Sequence, residues 1–324
     1  MLRLPTFEDP WVYVFASVVF FLMLNWWYRS RKLDFRYQDA FVLITGCDTG
    51  FGHIAAMKFD KMGFNVFAGC LSSDKMDELS AKCSPRLCPF HLDVTSDASV
   101  SKALETVKGR LPPNRGLWAI INNAGVMGTL GAVEWLKKQD YKQTLSVNMF
   151  GAVSVTKAFL PLVGRGGPGV ERRLPTQKVW VRAQAISPPT GWTGVSLMRL
   201  RQASWLTYHV LYMAAYLMIR HARLLYKTLE KSYEGLNEDL KTFYGEKYTN
   251  GMYDLLTLTR NGVWGKNLEE VVDVYVHAVT SRHPKTRYVV GLNGNLLFRP
   301  LWMLPTRLSA FLVGMGMPKP AGLG

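Results

Sequence analysis

Ala40-Phe-Val-Leu-Ile-Thr-Gly-Cys-Asp-Thr-Gly-Phe-Gly52 is the stretch whose reading decides the fold. Five apolar or β-prone residues, Ala40 to Ile44, run into three glycines, Gly46, Gly50 and Gly52. A helical pattern follows at once, with Ile54, Ala55, Phe59 and Met62 on one side and Gly63 as its stop. A buried parallel strand that turns through glycines into a helix makes a cradle for a dinucleotide pyrophosphate. The glycines let the backbone approach the phosphates, and the helix start supplies free N–H groups and partial positive charge. The spacing is T-G-x-x-x-G-x-G and not G-x-G-x-x-G, so it points to one branch of nucleotide binders. Glycines alone serve ordinary turns equally well. Their place between a strand and a helix is what carries the reading.

Further strands are expected at Asn65–Gly69, Phe90–Val94 and Leu117–Ile121, with helical patterns between them. That alternation is the pattern of an α/β protein with a doubly wound parallel sheet. Asp48 stands in the glycine loop, and no basic residue occurs from Gly69 to Asp74. A 2′-phosphate would find no cation there and would meet a carboxylate, so NAD is expected over NADP. No acid ends the second strand to hold the ribose, which leaves Ser72 or a backbone group for that task.

Trp11 to Tyr28 is an almost unbroken apolar run. Its length approaches the roughly 20 residues that cross a bilayer. Trp26, Trp27 and Tyr28 occupy the place where a cleaved leader needs small residues. Arg29, Arg31, Lys32 and Arg36 follow the run, and Arg3 alone among basic residues precedes it. By the positive-inside rule the main body faces the cytosol. A signal anchor is expected; a buried or interfacial helix is the alternative.

The chain has 324 residues and a net charge of +15. Residues 164–226 carry eight arginines and one lysine against one acid, +8 in a fifth of the chain. No zinc spacing and no basic motif interleaved with aromatics accompanies that charge, so nucleic acid is not an expected partner. Cys47, Cys70, Cys83 and Cys88 show neither C-x-x-C nor metal-ligand spacing. Buried reduced thiols are expected, and no metal.

Thr45-Gly-Cys-Asp-Thr-Gly-Phe-Gly52, Leu92-Asp-Val-Thr95, Gly116-Leu-Trp118, Asn122-Asn-Ala-Gly125, Val147-Asn148 and Phe159-Leu-Pro-Leu162 resemble a short-chain dehydrogenase/reductase. The branch is similar to the membrane-bound retinol and hydroxysteroid dehydrogenases, with 3-hydroxybutyrate dehydrogenase a near relative. Tyr244-Gly-Glu-Lys-Tyr248, His277-Ala-Val-Thr-Ser281 and Pro284-Lys-Thr-Arg-Tyr288 share the likeness, which covers roughly residues 37–163 and 227–324. The resemblance implies a Rossmann-type sheet and hydride transfer between a nicotinamide cofactor and a lipophilic alcohol. It implies a membrane location, the endoplasmic reticulum with the mitochondrial inner membrane as alternative, and a possible homodimer. By resemblance Gly46, Asp48, Gly50, Phe51 and Gly52 would surround pyrophosphate and ribose, and Asp93 would touch the adenine end. Asn122, Asn123, Ala124 and Gly125 would support the cofactor, and Asn148 would hold a water leading to the catalytic lysine. From the residues alone, Asn148 is one polar side chain in an apolar helix and would be expected to face solvent.

The family's chemistry needs a tyrosine hydroxyl lowered from its usual value near 10 by a lysine four residues on, with a serine from the preceding strand. No such set follows Val163. Tyr208, Tyr212 and Tyr216 recur at helical spacing, and Tyr216-x-x-x-Arg220 is the nearest imitation. Arginine cannot shed a proton and substitutes poorly for lysine. Ser187, Ser196 and Ser204 lie in no convincing strand, Gly164–Gly194 shows neither helical nor strand period, and Trp205–Ile219 reads as an apolar helix. The pattern is that of one internal segment replaced between intact flanks, through an altered exon, a retained intron, a frame slip or divergence into an inactive protein. Four regions result: 1–36 anchor and basic flank, 37–163 dinucleotide half with the second half of the sheet disrupted, 164–226 replacement, and 227–324 substrate cap and membrane contact. In the last region, helices are expected over Lys227–Tyr253 and Leu268–Val279, a final strand at Tyr288–Gly291, and a Pro-broken apolar segment at Leu296–Met317. His277 and His283 are expected to be structural.

Overall fold

The structure, a computed structural model, describes residues 10–33, 36–163, 179–180, 226–258, 268–285, 288, 290, 299–315, 318 and 320–323. At its centre lies a parallel sheet of β1 (Phe41–Thr45), β2 (Asn65–Cys70), β3 (Leu87–His91), β4 (Leu117–Ile121) and β5 (Val179–Trp180), in the order β3-β2-β1-β4-β5. The crossovers are α2 (Gly50–Lys61), α3 (Ser73–Lys82) and α4 (Asp97–Arg110). After β4 come α5 (Lys138–Leu145), a π-helical turn at Ser146–Gly151 and α6 (Ala152–Phe159).

β1 reads as a continuous apolar run because both faces of the sheet are covered. Val42 and Ile44 point to one core with Ala55, Ala56 and Phe59 of α2 and Val272 and Val279 of α9 (Leu268–Thr280). Leu43, with Phe67 and Ile120, points to the other core, against Val100, Ala103 and Val107 of α4 and Val155 and Phe159 of α6. The strand order reverses between β1 and β4. In such sheets the ligand crevice opens at the carboxyl ends of those two strands.

Two expectations about the sheet need correction. β3 starts at Leu87, three residues before the expected Phe90, and ends at His91. It includes Pro89, which pairs with Ala68. β3 is the edge strand, where a missing N–H can face outward. Within the stretch read as periodless, Val179 and Trp180 pair in parallel with Ile120 and Ile121. The rest of 164–225 lies outside the described residues, including Tyr208, Tyr212, Tyr216, Arg220, Ser187, Ser196, Ser204 and the 205–219 run.

The C-terminal region supplies α7 (226–234), α8 (Glu238–Leu258), α9, α10 (Arg299–Met303) and α11 (Thr306–Met315). Inside α8, Gly245 sits at φ 68°, ψ 163° and breaks the helix in two. Tyr288 and Val290, expected in a last strand, are not part of one. α1 (Pro10–Ser30) is 21 residues long. At 1.5 Å per residue that is about 32 Å, enough for a bilayer core of about 30 Å. Its window Val12–Ser30 has mean hydropathy 1.3, and none of that window is buried within the protein.

All four cysteines are free. Burial, with Cys70 and Asp48 nearby, pushes the Cys47 thiol far up, and burial pushes Cys70 up to about 12. Thiolate is the reactive form. Both are therefore expected to stay unmodified by iodoacetamide at pH 8 in the folded protein and to react fully in denaturant. Peptide mass spectrometry reads this directly, and rapid native labelling of either one would contradict the placement.

Candidate functional site

The ends of β1 and β4 are tied together by a reciprocal set of bonds. Thr45 Oγ1 accepts from the N–H groups of Asn123 (3.0 Å) and Ala124 (2.9 Å). The Asn123 Nδ2 in turn donates to the carbonyls of Thr45 and Gly46, both at 3.0 Å. Thr45 is 1% exposed, so these bonds are sheltered from water. The backbones lie so close that a Cβ on Gly46 would stand 2.7 Å from Ala124 Cα. A Cβ on Gly52 would run into the Gly46 carbonyl and Asn123 Nδ2. Gly46 and Gly50 also adopt φ of 68° and 67°, a region that favours glycine. Gly50 differs in one respect: a Cβ there meets nothing within 4 Å. Gly46 and Gly52 close the loop, and Gly50 leaves its floor open.

Asp48 leaves the loop toward the end of β2. Its carboxylate accepts from Leu71 N–H (2.9 and 3.1 Å) and Ser72 N–H (2.8 Å). The backbone groups expected to serve a ribose are therefore already occupied by Asp48. Asp93 is also engaged locally, accepting from the Thr95 N–H (2.9 Å) and hydroxyl (2.7 Å) to close the turn after β3. Phe51 is buried against Val271 of α9. Gly125 is exposed beside half-buried Ala124.

Asn122 and Asn148 flank the β4 end. Asn122 is 2% exposed, and its Nδ2 donates to Thr156 Oγ1 at 2.9 Å. Its Oδ1 is buried with no hydrogen-bond partner among the described residues. Asn148 is 1% exposed, and not solvent-facing as its sequence neighbours suggest. Its side chain makes a two-point pairing with Val126, Oδ1 accepting from N–H (2.8 Å) and Nδ2 donating to C=O (2.7 Å). Both ends of the amide are thus engaged, which fixes its orientation, and one N–H of the amide remains beyond this pairing. Asn148 lies in the π-helical turn Ser146–Gly151, where widened backbone bonding re-aims a helix, often at functional sites.

Thr45 was not singled out by sequence reasoning, although its position directly before the first glycine was visible. Tyr275 was missed too; its hydroxyl donates to Asn123 Oδ1 at 3.4 Å from α9. The structure brings together Gly46, Gly52, Asn122, Asn123 and Ala124 at the switch point. Asp93 sits in its own turn, and Tyr216 and Arg220 lie outside the described residues.

A dinucleotide fits what is present. Among the described residues, space is open over Gly50, Thr49 at the start of α2 makes no side-chain cap, and Asn122 Oδ1 is a buried acceptor without a partner. Acid–base chemistry is a different matter. The titrations of Tyr141, Tyr244, Tyr248, Tyr253 and Tyr288 are all displaced upward, with burial the main cause. A general base for alcohol oxidation needs the opposite displacement. The one Tyr-x-x-x-Lys spacing in the chain, Tyr28 to Lys32, falls at the end of α1, where the Tyr28 ring stacks on His283 at 3.9 Å.

Beyond β4, Trp135 lies 5.1 to 5.8 Å, ring to ring, from Tyr233, Tyr244 and Tyr248. Tyr244 OH donates to Glu134 at 2.7 Å, tying α8 to the loop that follows β4. Leu130, Leu229 and Met252 complete this aromatic and aliphatic wall.

A glycine-turned strand and helix, cross-tied at the switch point of a parallel sheet, define a dinucleotide-binding protein. A sequence model of the short chain dehydrogenase family matches residues 40–170. The chain is 34% identical to retinol dehydrogenase 7 of Rattus norvegicus over 326 residues, covering 96% of this chain and 99% of the relative. It is 32% identical to 17-beta-hydroxysteroid dehydrogenase type 6 of Homo sapiens over 319 residues, with the same coverage of 96% and 99%. Against dehydrogenase/reductase SDR family member 9 of Homo sapiens it is 35% identical over 296 residues, covering 89% of this chain and 91% of that one. The chain belongs to the short-chain dehydrogenase family, in the branch of the retinol and hydroxysteroid dehydrogenases.

Proposed function

We propose that this chain is an NAD-preferring oxidoreductase that transfers hydride between the nicotinamide and a lipophilic alcohol, a retinol or a hydroxysteroid, at a membrane. The observation that carries the reading is the cross-tied glycine cradle of Thr45, Gly46, Gly52 and Asn123, in a chain similar over nearly its whole length to retinol and hydroxysteroid dehydrogenases. The cofactor, when bound, accepts or delivers the hydride. Gly46, Gly50 and Gly52 would lie under its pyrophosphate, Asp48 beside the adenosine ribose, and Asn122 to Gly125 along its nicotinamide half. The Trp135 and Tyr244 wall is suited to an apolar substrate, and α1 and the exposed apolar residues of α11, Phe311 and Met315, support a membrane location. The endoplasmic reticulum, with the main body in the cytosol, is the expected membrane. A second copy of the chain, forming a homodimer, is the further partner of this reading.

NAD preference rests on Asp48. Its charge, held at the end of β2 by three backbone bonds, would face a 2′-phosphate without an intervening cation. A like-charge contact of this kind in a half-exposed site costs about 1–2 kcal/mol, on the order of tenfold in affinity. Asp48→Asn is therefore expected to reduce the ratio of NADP to NAD dissociation constants by about tenfold. Cofactor titration by nicotinamide fluorescence measures the ratio, and an unchanged ratio removes Asp48 from the selectivity.

A second reading is favoured by one specific observation, the missing Tyr-x-x-x-Lys pair after Val163. On that reading the chain is a catalytically silent, membrane-bound family member. Membranes bearing the protein, supplied with NAD and retinol or an androgen-type alcohol, distinguish the two. Cofactor-dependent oxidation supports the first reading. NAD binding with no turnover above background supports the second.

A further inference from the structure

The end of α1 is clasped to α9 by segments about 250 residues apart in sequence. The Arg29 carbonyl accepts from Ser281 Oγ at 3.0 Å and lies 3.0 Å from His277 Nε2. Leu33 N–H donates to Thr280 C=O (2.8 Å) and Arg282 N–H to Arg31 C=O (2.9 Å), on either side of an antiparallel bridge between Lys32 and Ser281. The Lys285 N–H donates to Tyr288 Oη at 3.0 Å, and that oxygen is 2.7 Å from His277 Nδ1. Because the Arg29 carbonyl can only accept, Nε2 of the neutral His277 ring carries the proton, and Nδ1 accepts from the Tyr288 hydroxyl. Tyr28, in the last turn of α1, stacks on His283 at 3.9 Å.

The clasp has a consequence for charge. The bridge sets exposed Arg31 and Lys32 beside exposed Arg282, and exposed Lys285 joins the same clasp through Tyr288 and His277. None of the four forms an ion pair among the described residues, where the ion pairs involve other cations. The Arg31 guanidinium lies 4.0 Å over the Trp27 ring, and Trp26, Trp27 and Tyr28 are exposed at the same end of the helix. Interfacial tryptophans and tyrosines sit at headgroup level. Four cations gathered at one clasp repel one another, and an anionic surface relieves that repulsion. The surface closest to the end of a membrane helix is the headgroup layer it emerges from.

Resting on the membrane reading above, we propose that Arg31, Lys32, Arg282 and Lys285 form one collar that binds anionic phospholipid headgroups where α1 leaves the bilayer. The C-terminal part of the chain thereby contributes to lipid selection, which the N-terminal flank alone would otherwise determine. The test uses the full chain in nanodiscs of phosphatidylcholine, alone or doped with phosphatidylserine, with retained lipids counted by native mass spectrometry. Phosphatidylserine should be retained above its bulk proportion. The double variant R282Q/K285Q should lower that enrichment by about fivefold per charge removed, until it reaches the bulk ratio. Both side chains are exposed, their clasp bonds come from backbone N–H groups, and the Lys285 ammonium lies only at 5.8 Å from the Tyr288 ring centre, so the melting curve should move little. R31Q/K32Q, on the other side of the bridge, should give a matching loss. No enrichment in the native chain, or enrichment unchanged in both double variants, overturns the collar. Failure to enter phosphatidylcholine nanodiscs at all overturns the anchor reading and the collar with it.

Discussion

Gly52→Ala is expected to abolish NAD binding and to lower stability by about 1–3 kcal/mol, the usual range for forcing atoms into a packed site. The added methyl meets the Gly46 carbonyl and the Asn123 amide, which are partners in the cross-tie between β1 and β4. Neither neighbour can give way freely. The carbonyl belongs to a residue at φ 68°, and the amide already donates to two carbonyls. Relief therefore requires the strand ends to part, which opens the crevice the pyrophosphate would occupy. Gly50→Ala is the comparison for stability alone, since its methyl meets no protein atom within 4 Å but would enter the space over the loop where the pyrophosphate would lie. In the protein without cofactor it carries only the strain of φ 67°, of order 1–2 kcal/mol. Calorimetric titration with NAD and a melting curve compare the two. Equal NAD affinity in Gly52→Ala and the native chain would falsify the assignment of this loop.

Asn148→Ala is expected to cost about 2–4 kcal/mol, because it removes both partners of the Val126 backbone at once. Each stranded peptide group is worth about 1–3 kcal/mol when water cannot replace the bond. Val126 is 40% exposed, so partial hydration keeps the total below the sum of two full penalties. Asn148→Asp is more informative. It keeps the acceptor for the Val126 N–H but presents a carboxylate to the Val126 carbonyl in place of a donor. Urea unfolding should place Asn148→Asp at least as low as Asn148→Ala at pH 7, with part of the deficit recovered at low pH as the carboxyl becomes a donor. The direction follows from linkage. A carboxyl facing a carbonyl titrates higher in the folded than in the unfolded chain, so folding is favoured as pH falls through that range. A variant as stable as the native protein would show that the pairing with Val126 contributes little.

How much of this was legible in the sequence depends on the kind of interaction. The β1–loop–α2 unit was readable because its signals are local: an apolar run, three glycines and a helical period within a few turns. β3 was misplaced by three residues; it includes Pro89, and the sheet order shows that β3 is an edge, where proline is tolerated. The Val179–Trp180 pairing follows from the free edge of β4, which accepts a short extended piece without any sequence period of its own. Asp48 was noticed for its charge, but its partners at Leu71 and Ser72 depend on where β2 ends in space. The burial of Asn148 could not be inferred from helical neighbours that are themselves exposed, such as Met149 and Phe150. The clasp between 29–33 and 277–282 was not legible at all. Each of its bonds, from a main-chain N–H or from the side chains of His277 and Ser281, ends on a main-chain carbonyl, and a carbonyl leaves no mark in residue type.

α9 joins that clasp to the nucleotide loop, with Val271 and Tyr275 against Phe51 and Asn123 and with Ser281 at the clasp just beyond its other end. Thirteen helical residues make about 20 Å. If α1 crosses a bilayer, the crevice at the β1 and β4 ends is held within roughly that distance of the lipid–water boundary. A water-insoluble alcohol dissolved in the leaflet would then have a path of about the length of α9 to the crevice. Its local supply would be set by partitioning into the bilayer and not by its solubility in the surrounding fluid.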